Sequence, residues 1–212
     1  MKLAYILARK DFFELGSNGR VTHAKGVVSG LLQNDTYVDV FSSKSTACHI
    51  KSDSKKLKIH SVCDGLFWPL IYFFHLFKHR KSYDFVIIRY STSLGWLNLI
   101  VSTVLFGKNW GFEVNGLGFH QLSSGESLKK RLISKIIKPI ERFVISKTPF
   151  VNCVSSKLTS ELLMINNNVI ELPNAGNHLA YDKITTSKSG KLKVIYFGMY
   201  HHYYSLVEVA EC

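Results

Sequence analysis

The sequence predicts an α/β fold: a Rossmann-like parallel sheet flanked by helices, followed by the opening of an incomplete second domain. Two observations carry this. Short β-rich runs alternate with helix-length segments, the signature of a parallel sheet joined by crossover helices. Near the end, Val169-Ile-Glu-Leu-Pro-Asn-Ala-Gly-Asn177 reads as a strand entering a turn, and Leu192-Lys-Val-Ile-Tyr-Phe-Gly198 as a fresh buried strand. Only fourteen residues follow Gly198, too few to surround that strand with a sheet. The chain is therefore expected to stop just after opening its second domain.

The elements follow in order. A strand at 3–8 leads through a glycine-containing loop into a helix, where Val21, Ala24, Val27, Val28, Leu31 and Leu32 recur at helical spacing. Strands are expected at 37–41, 58–62, 85–90, 110–114, 150–154 and 169–172. Leu128, Leu132, Ile136, Ile140 and Phe143 mark the apolar face of a long amphipathic helix, expected to kink at Pro139. Ser155 is a good N-cap for a helix over 157–165. Residues 1–176 form the expected first domain, 177–191 a polar linker, and 192–212 the remnant of a second domain.

Composition narrows the function. With 46% apolar and 20% charged residues in 212, the chain is globular and large enough for one good core. A net charge of +12 attracts anions: nucleic acid, anionic lipid or nucleotide phosphate. No helix-turn-helix, zinc finger or RNP-like aromatic pattern accompanies the charge, so no nucleic acid partner is expected. Cys48, Cys63, Cys153 and Cys212 lie far apart without metal-like spacing, which fits a reduced cytoplasmic compartment and no metal. No targeting segment stands out at the start. The apolar runs 66–77 and 94–106 fall short of the roughly 20 residues that span a bilayer.

An open parallel sheet works at the carboxyl ends of its strands. After the first strand, Gly16-Ser-Asn-Gly19-Arg20-Val-Thr-His23 enters a helix. Gly16 and Gly19 allow close backbone approach, the helix N-terminus offers N–H groups to an anion, and Arg20 and His23 add donors. An ordinary strand-to-helix turn explains the same residues, and the spacing fits neither a P-loop nor a dinucleotide fingerprint. After the fifth strand, Glu113, Asn115 and Gly116 place a carboxylate and an amide at a strand end. Glu113 is a candidate to accept a proton from a substrate hydroxyl, or else a structural cap beside an Asn-Gly turn. His120 beyond it reads as a surface histidine.

Arg131, Lys135, Lys138 and Arg142 fall on one stripe of the long helix. Leu66-Phe-Trp-Pro-Leu-Ile-Tyr-Phe-Phe-His-Leu-Phe77 ends in Lys78-His-Arg-Lys81. Both patterns suit an anionic membrane surface; a solvated charged stripe and a core helix with a basic C-terminus are the alternatives.

Together these pieces resemble the family 4 glycosyltransferases of GT-B fold. Asn18-Gly-Arg-Val-Thr-His23 before an amphipathic helix and Val38-Asp-Val-Phe41 resemble the family's start. Phe150-Val-Asn-Cys-Val-Ser155 resembles its strand ending in "VS". Val169-Ile-Glu-Leu-Pro-Asn174-Ala-Gly176-Asn177 looks like its "vipNGvd" segment, and Lys193-Val-Ile-Tyr-Phe-Gly198 like the strand that opens its second domain. The resemblance implies sugar transfer from a nucleotide sugar to a polysaccharide or lipid-linked acceptor, without cofactor or metal, at the cytoplasmic face of the cell membrane. It places Gly16 and Gly19 by the donor's phosphate end, and Glu113, Asn115 and Gly116 at the acceptor corner. Asn174 and Gly198 fall at the crossing between domains. Met199-Tyr-His-His-Tyr-Tyr204 departs from the family, which has a basic residue there, and the family's donor-binding carboxylate pair has no counterpart. The resemblance thus implies the acceptor-side half of a truncated enzyme. A non-catalytic membrane- or glycolipid-binding module, or the partner of a separately encoded donor domain, is the competing class. A complete small nucleotide-binding α/β protein is the third.

Overall fold

The computed structural model describes residues 1–7, 19–43, 50, 53–62, 68–90, 107, 109–117 and 128–172; for 19–22, 43, 62, 68–73, 128 and 130 it describes the backbone alone. All belong to one compact unit, Met1–Gly176. The expected linker, the late strand and the turn at 173–177 lie outside the described residues.

In chain order the elements are β1 (Lys2–Ile6), α1 (Gly19–Gln33), β2 (Tyr37–Ser43), β3 (Leu57–Val62), α2 (Trp68–His79), β4 (Phe85–Arg89), β5 (Trp110–Val114), α3 (Leu128–Lys147), β6 (Val151–Cys153), α4 (Ser156–Leu163) and β7 (Val169–Glu171). The strands form one sheet in the order β3-β2-β1-β4-β5-β6-β7, and every pairing is parallel. All seven strands expected in this unit are present. The order reverses between β1 and β4, and such a switch point opens a crevice beyond the strand ends.

Strand alternation assigns each side chain to a face. Ala4, Ile6, Phe41, Val86, Ile88, Trp110, Phe112 and Val114 join Leu76 of α2, Val144 and Ile145 of α3 and Leu162 of α4 in one core. Leu3, Tyr5, Leu7, Val38 and Val40 meet Ala24 and Val28 of α1 on the opposite face. The helical repeat read in 21–32 is therefore the packing face of α1. Beyond that helix, Asp35 takes a left-handed φ of 58°, and Thr36 N–H bonds back to the Leu31 carbonyl, which closes the last turn.

The long helix departs from the sequence reading in one respect. It packs through Ser134, Ile137, Glu141, Val144 and Ile145, with Pro139 inside the helix. Leu132, Ile136, Ile140 and Phe143, the face read as its apolar side, are exposed. Two apolar stripes coexist on α3, and the shorter inner one reaches the sheet. Asn166 secures its end: its side-chain amide donates to the carbonyls of Ile145 and Thr148, both at 2.7 Å.

Candidate functional site

β1, β4 and β5 bring three polar side chains to one face of the sheet near their carboxyl ends, at the switch point. Tyr5 comes from β1, Arg89 ends β4, and Glu113 lies opposite Arg89 in the β4–β5 register. α1 covers this face and turns His23 inward. Tyr5, Arg89 and His23, joined by Asn115, converge on the Glu113 carboxylate, which is wholly buried. Tyr5 donates its hydroxyl to Oε2 at 2.5 Å, and Asn115 donates its amide to Oε1 at 2.7 Å. Arg89 Nη1 stands 2.9 Å from Oε1 and His23 Nε2 stands 3.3 Å from it.

The electrostatics follow from this crowd. Burial alone pushes the Glu113 carboxyl up. The contact with His23, the charge of Arg89 and the Tyr5 hydroxyl outweigh it and hold the group at about 2. Tyr5 is moved the other way: burial first, then the neighbouring carboxylate, raise its phenol well above the ordinary value. Glu113 is thus a fixed anion surrounded by donors. A group with a pKa near 2 is a poor proton acceptor at neutral pH, so the geometry fits a positioning role better than the general base read from the sequence. Its anion can orient an imidazole and anchor a guanidinium, as the carboxylate partner of a histidine does.

Beside Glu113 in the sheet register lies Asn152 of β6. Its Oδ1 is buried with no hydrogen-bond partner among the described residues. An open buried acceptor beside a donor-rich cluster leaves hydrogen-bonding capacity for a ligand or water.

Of the other residues singled out in the sequence, Gly19 and Arg20 open α1, and Gly116 follows Asn115 in the loop after β5. Gly16, His120, Asn174 and Gly198 lie outside the described residues. Arg131, Lys135, Lys138 and Arg142 are exposed on α3, on the face of the sheet opposite Glu113. Tyr5, Arg89 and Asn152 were missed. The visible signal for Arg89 was a lone cation closing the apolar run Phe85-Val-Ile-Ile; Tyr5 carried none, since tyrosine is an ordinary strand residue. Among the described residues no group of three or more His, Cys, Asp or Glu is placed to hold a metal ion. No described helix is long and apolar enough to cross a membrane.

A second buried carboxylate lies on the other face. Asp39 accepts the Tyr83 hydroxyl at 2.7 Å and has Lys2 Nζ and His60 Nε2 each at 3.4 Å. Burial works against its charge, but Tyr83, Lys2 and His60 together hold it below the ordinary carboxylate range. His60 stacks on Phe41 with ring centroids 4.7 Å apart, and His75 and His79 continue the row. This cluster ties β2, β3 and α2 together.

No protein-family model and no curated protein matches the sequence. Solved structures do match the fold. A sucrose-phosphate synthase from Thermosynechococcus elongatus superposes with a TM-score of 0.56 at 13% identity, over 81% of this chain and 47% of that one. A Glycyrrhiza uralensis UGT73P12, solved with glycyrrhetinic acid 3-O-monoglucuronide, gives 0.48 at 12% identity over 81% and 48%. The chain spans about half the length of the structures it matches. Its fold is Rossmann-like and glycosyltransferase-like, of the kind found in GT-B enzymes.

Proposed function

We propose that this chain is the acceptor-side domain of a glycosyltransferase that moves a sugar from a nucleotide sugar to a polysaccharide or lipid-linked acceptor. The supporting observation is the Tyr5–Arg89–Glu113–His23 cluster at the switch point of a glycosyltransferase-like sheet. In this reading Glu113 is the positioning residue. A carboxylate at Nε2 favours the imidazole tautomer with its proton there, and leaves Nδ1 to accept the proton of an attacking hydroxyl. Arg89 keeps Glu113 ionised, and Asn115 and Asn152 supply polar contacts for the acceptor. The motifs that resemble those of family 4 glycosyltransferases, Asn18-Gly-Arg-Val-Thr-His23 among them, support the same assignment. The donor would need no metal or cofactor in this domain.

The test is transfer of isotope-labelled sugar from a panel of nucleotide sugars to membrane and polysaccharide fractions. The full chain is supplied with host extract, in case a separate donor subunit is needed. The expected result is incorporation that falls about a hundredfold with His23→Ala, while thermal unfolding shows the variant still folded. Incorporation indifferent to a folded His23→Ala variant, or none from any donor, would overturn the proposal.

A further inference from the structure

Helix α3 carries three distinct faces where a surface helix ordinarily carries two. One is the inner face already described. The second is Leu132, Ile136, Ile140 and Phe143, each between 44% and 66% exposed and aligned along about 16 Å of helix. The third is the stripe of Arg131, Lys135, Lys138 and Arg142, about 120° around from the other two. Scattered exposed apolar side chains need no explanation, but four in an unbroken row on one helix do.

The charges on this helix are one-sided. Lys129, Arg131, Lys135, Lys138, Arg142 and Lys147 are exposed. Its only acid, Glu141, is buried and accepts the Tyr90 hydroxyl at 2.9 Å. Helix α2 covers the same side of the sheet, since Leu76 shares a core with Val144 and Ile145. Its outer side repeats the composition: Phe74 and Phe77 are exposed, and Lys78, Arg80 and Lys81 follow at its end. The Arg80 guanidinium lies 4.4 Å from the Phe77 ring centroid.

We propose that this side of the protein docks on an anionic lipid surface, with Leu132, Ile136, Ile140 and Phe143 entering the interface and the basic stripe facing the headgroups. Charge complementarity selects this occupant. A second copy brings the same cations and a net charge of +12, so self-pairing is repelled. Residues 177–212 hold four lysines against three acids and offer no surplus of negative charge to cover the stripe. An anionic bilayer meets both demands at once: shallow burial for the apolar row and counter-charge for the lysines and arginines. The proposal is independent of the sugar-transfer reading, because none of these residues belongs to the Glu113 cluster.

The test is co-sedimentation of the full chain with vesicles of phosphatidylcholine alone or mixed with phosphatidylglycerol. Binding to the anionic vesicles is expected, with little to the zwitterionic ones. Lys135→Gln with Arg142→Gln should weaken it about thirtyfold. Combined Leu132→Ser, Ile136→Ser and Phe143→Ser should weaken it about a hundredfold with every charge retained, and leave urea stability unchanged. No sedimentation of the wild type with anionic vesicles overturns the proposal. Binding that ignores the serine variant overturns it in favour of a soluble polyanion. A serine variant whose urea midpoint falls clearly below that of the wild type overturns it as well, since the stripe would then be covered by protein.

Discussion

Replacing Glu113 by Gln tests the electrostatic account of the site most directly. The side chain keeps its shape and loses its charge, so Arg89 and His23 face a neutral amide in a buried place. Two independent estimates agree on the cost. Holding a carboxyl at about 2 when its ordinary value is 4.5 contributes about 3 kcal/mol to folding at neutral pH. Removing one partner of a buried ion pair costs about 3–5 kcal/mol. The pH dependence has a definite sign. Above 4.5 both folded and unfolded chains are ionised and the contribution is complete. Below it the unfolded chain takes up a proton that the fold refuses, and the contribution fades as pH approaches 2. Urea unfolding of wild type and Glu113→Gln should therefore differ by about 3 kcal/mol at pH 7 and by about 1 kcal/mol at pH 3. Titrating groups that do not touch Glu113 cancel in that comparison. A gap below about 1 kcal/mol at pH 7, or one that is the same at both pH values, would refute the reasoning.

Three more outcomes are expected. His60 and His75 should titrate below the ordinary 6.5 by NMR, because burial disfavours their charged forms; stability then falls as pH drops below 6.5, where the unfolded chain binds the protons, and His75→Leu should flatten that fall. Gly111→Ala should destabilise by about 3 kcal/mol in urea unfolding, since its Cβ would sit 2.6 Å from the Phe150 carbonyl oxygen, the acceptor that pairs β6 with Phe112. Ser155→Ala should cost about 1 kcal/mol in the same assay, because the Ser155 hydroxyl caps α4 by accepting from Leu158 N–H.

The strands were legible because apolar periodicity reports burial on a short length scale, and each of the seven was found within two residues of its expected ends. Ser155 was legible for the same local reason. The face of α3 was not. Its sequence holds two apolar stripes, 132-136-140-143 and 137-144-145, and periodicity favours the longer one. What decides between them is that Glu141 on the inner face is satisfied by Tyr90, fifty-one positions away, a partner no local pattern displays. The site shows the same division. His23, Glu113 and Asn115 stood out as polar residues beside glycine turns, whereas Tyr5 and Arg89 acquire meaning only once β1 and β4 are known to be neighbours.

Three buried carboxylates among the described residues share a device: Glu113 accepts from Tyr5, Asp39 from Tyr83 and Glu141 from Tyr90. Each phenol is shifted upward, by burial first and its carboxylate next. In the unfolded chain all three would ionise near 10, so the fold loses this support as alkali rises and its tyrosines hold their protons. Of ten tyrosines in the chain, these three should stay spectroscopically silent until the sheet opens, then release together. Tyrosinate absorbance in rising alkali becomes an internal gauge of β4 and its neighbours, readable without a label.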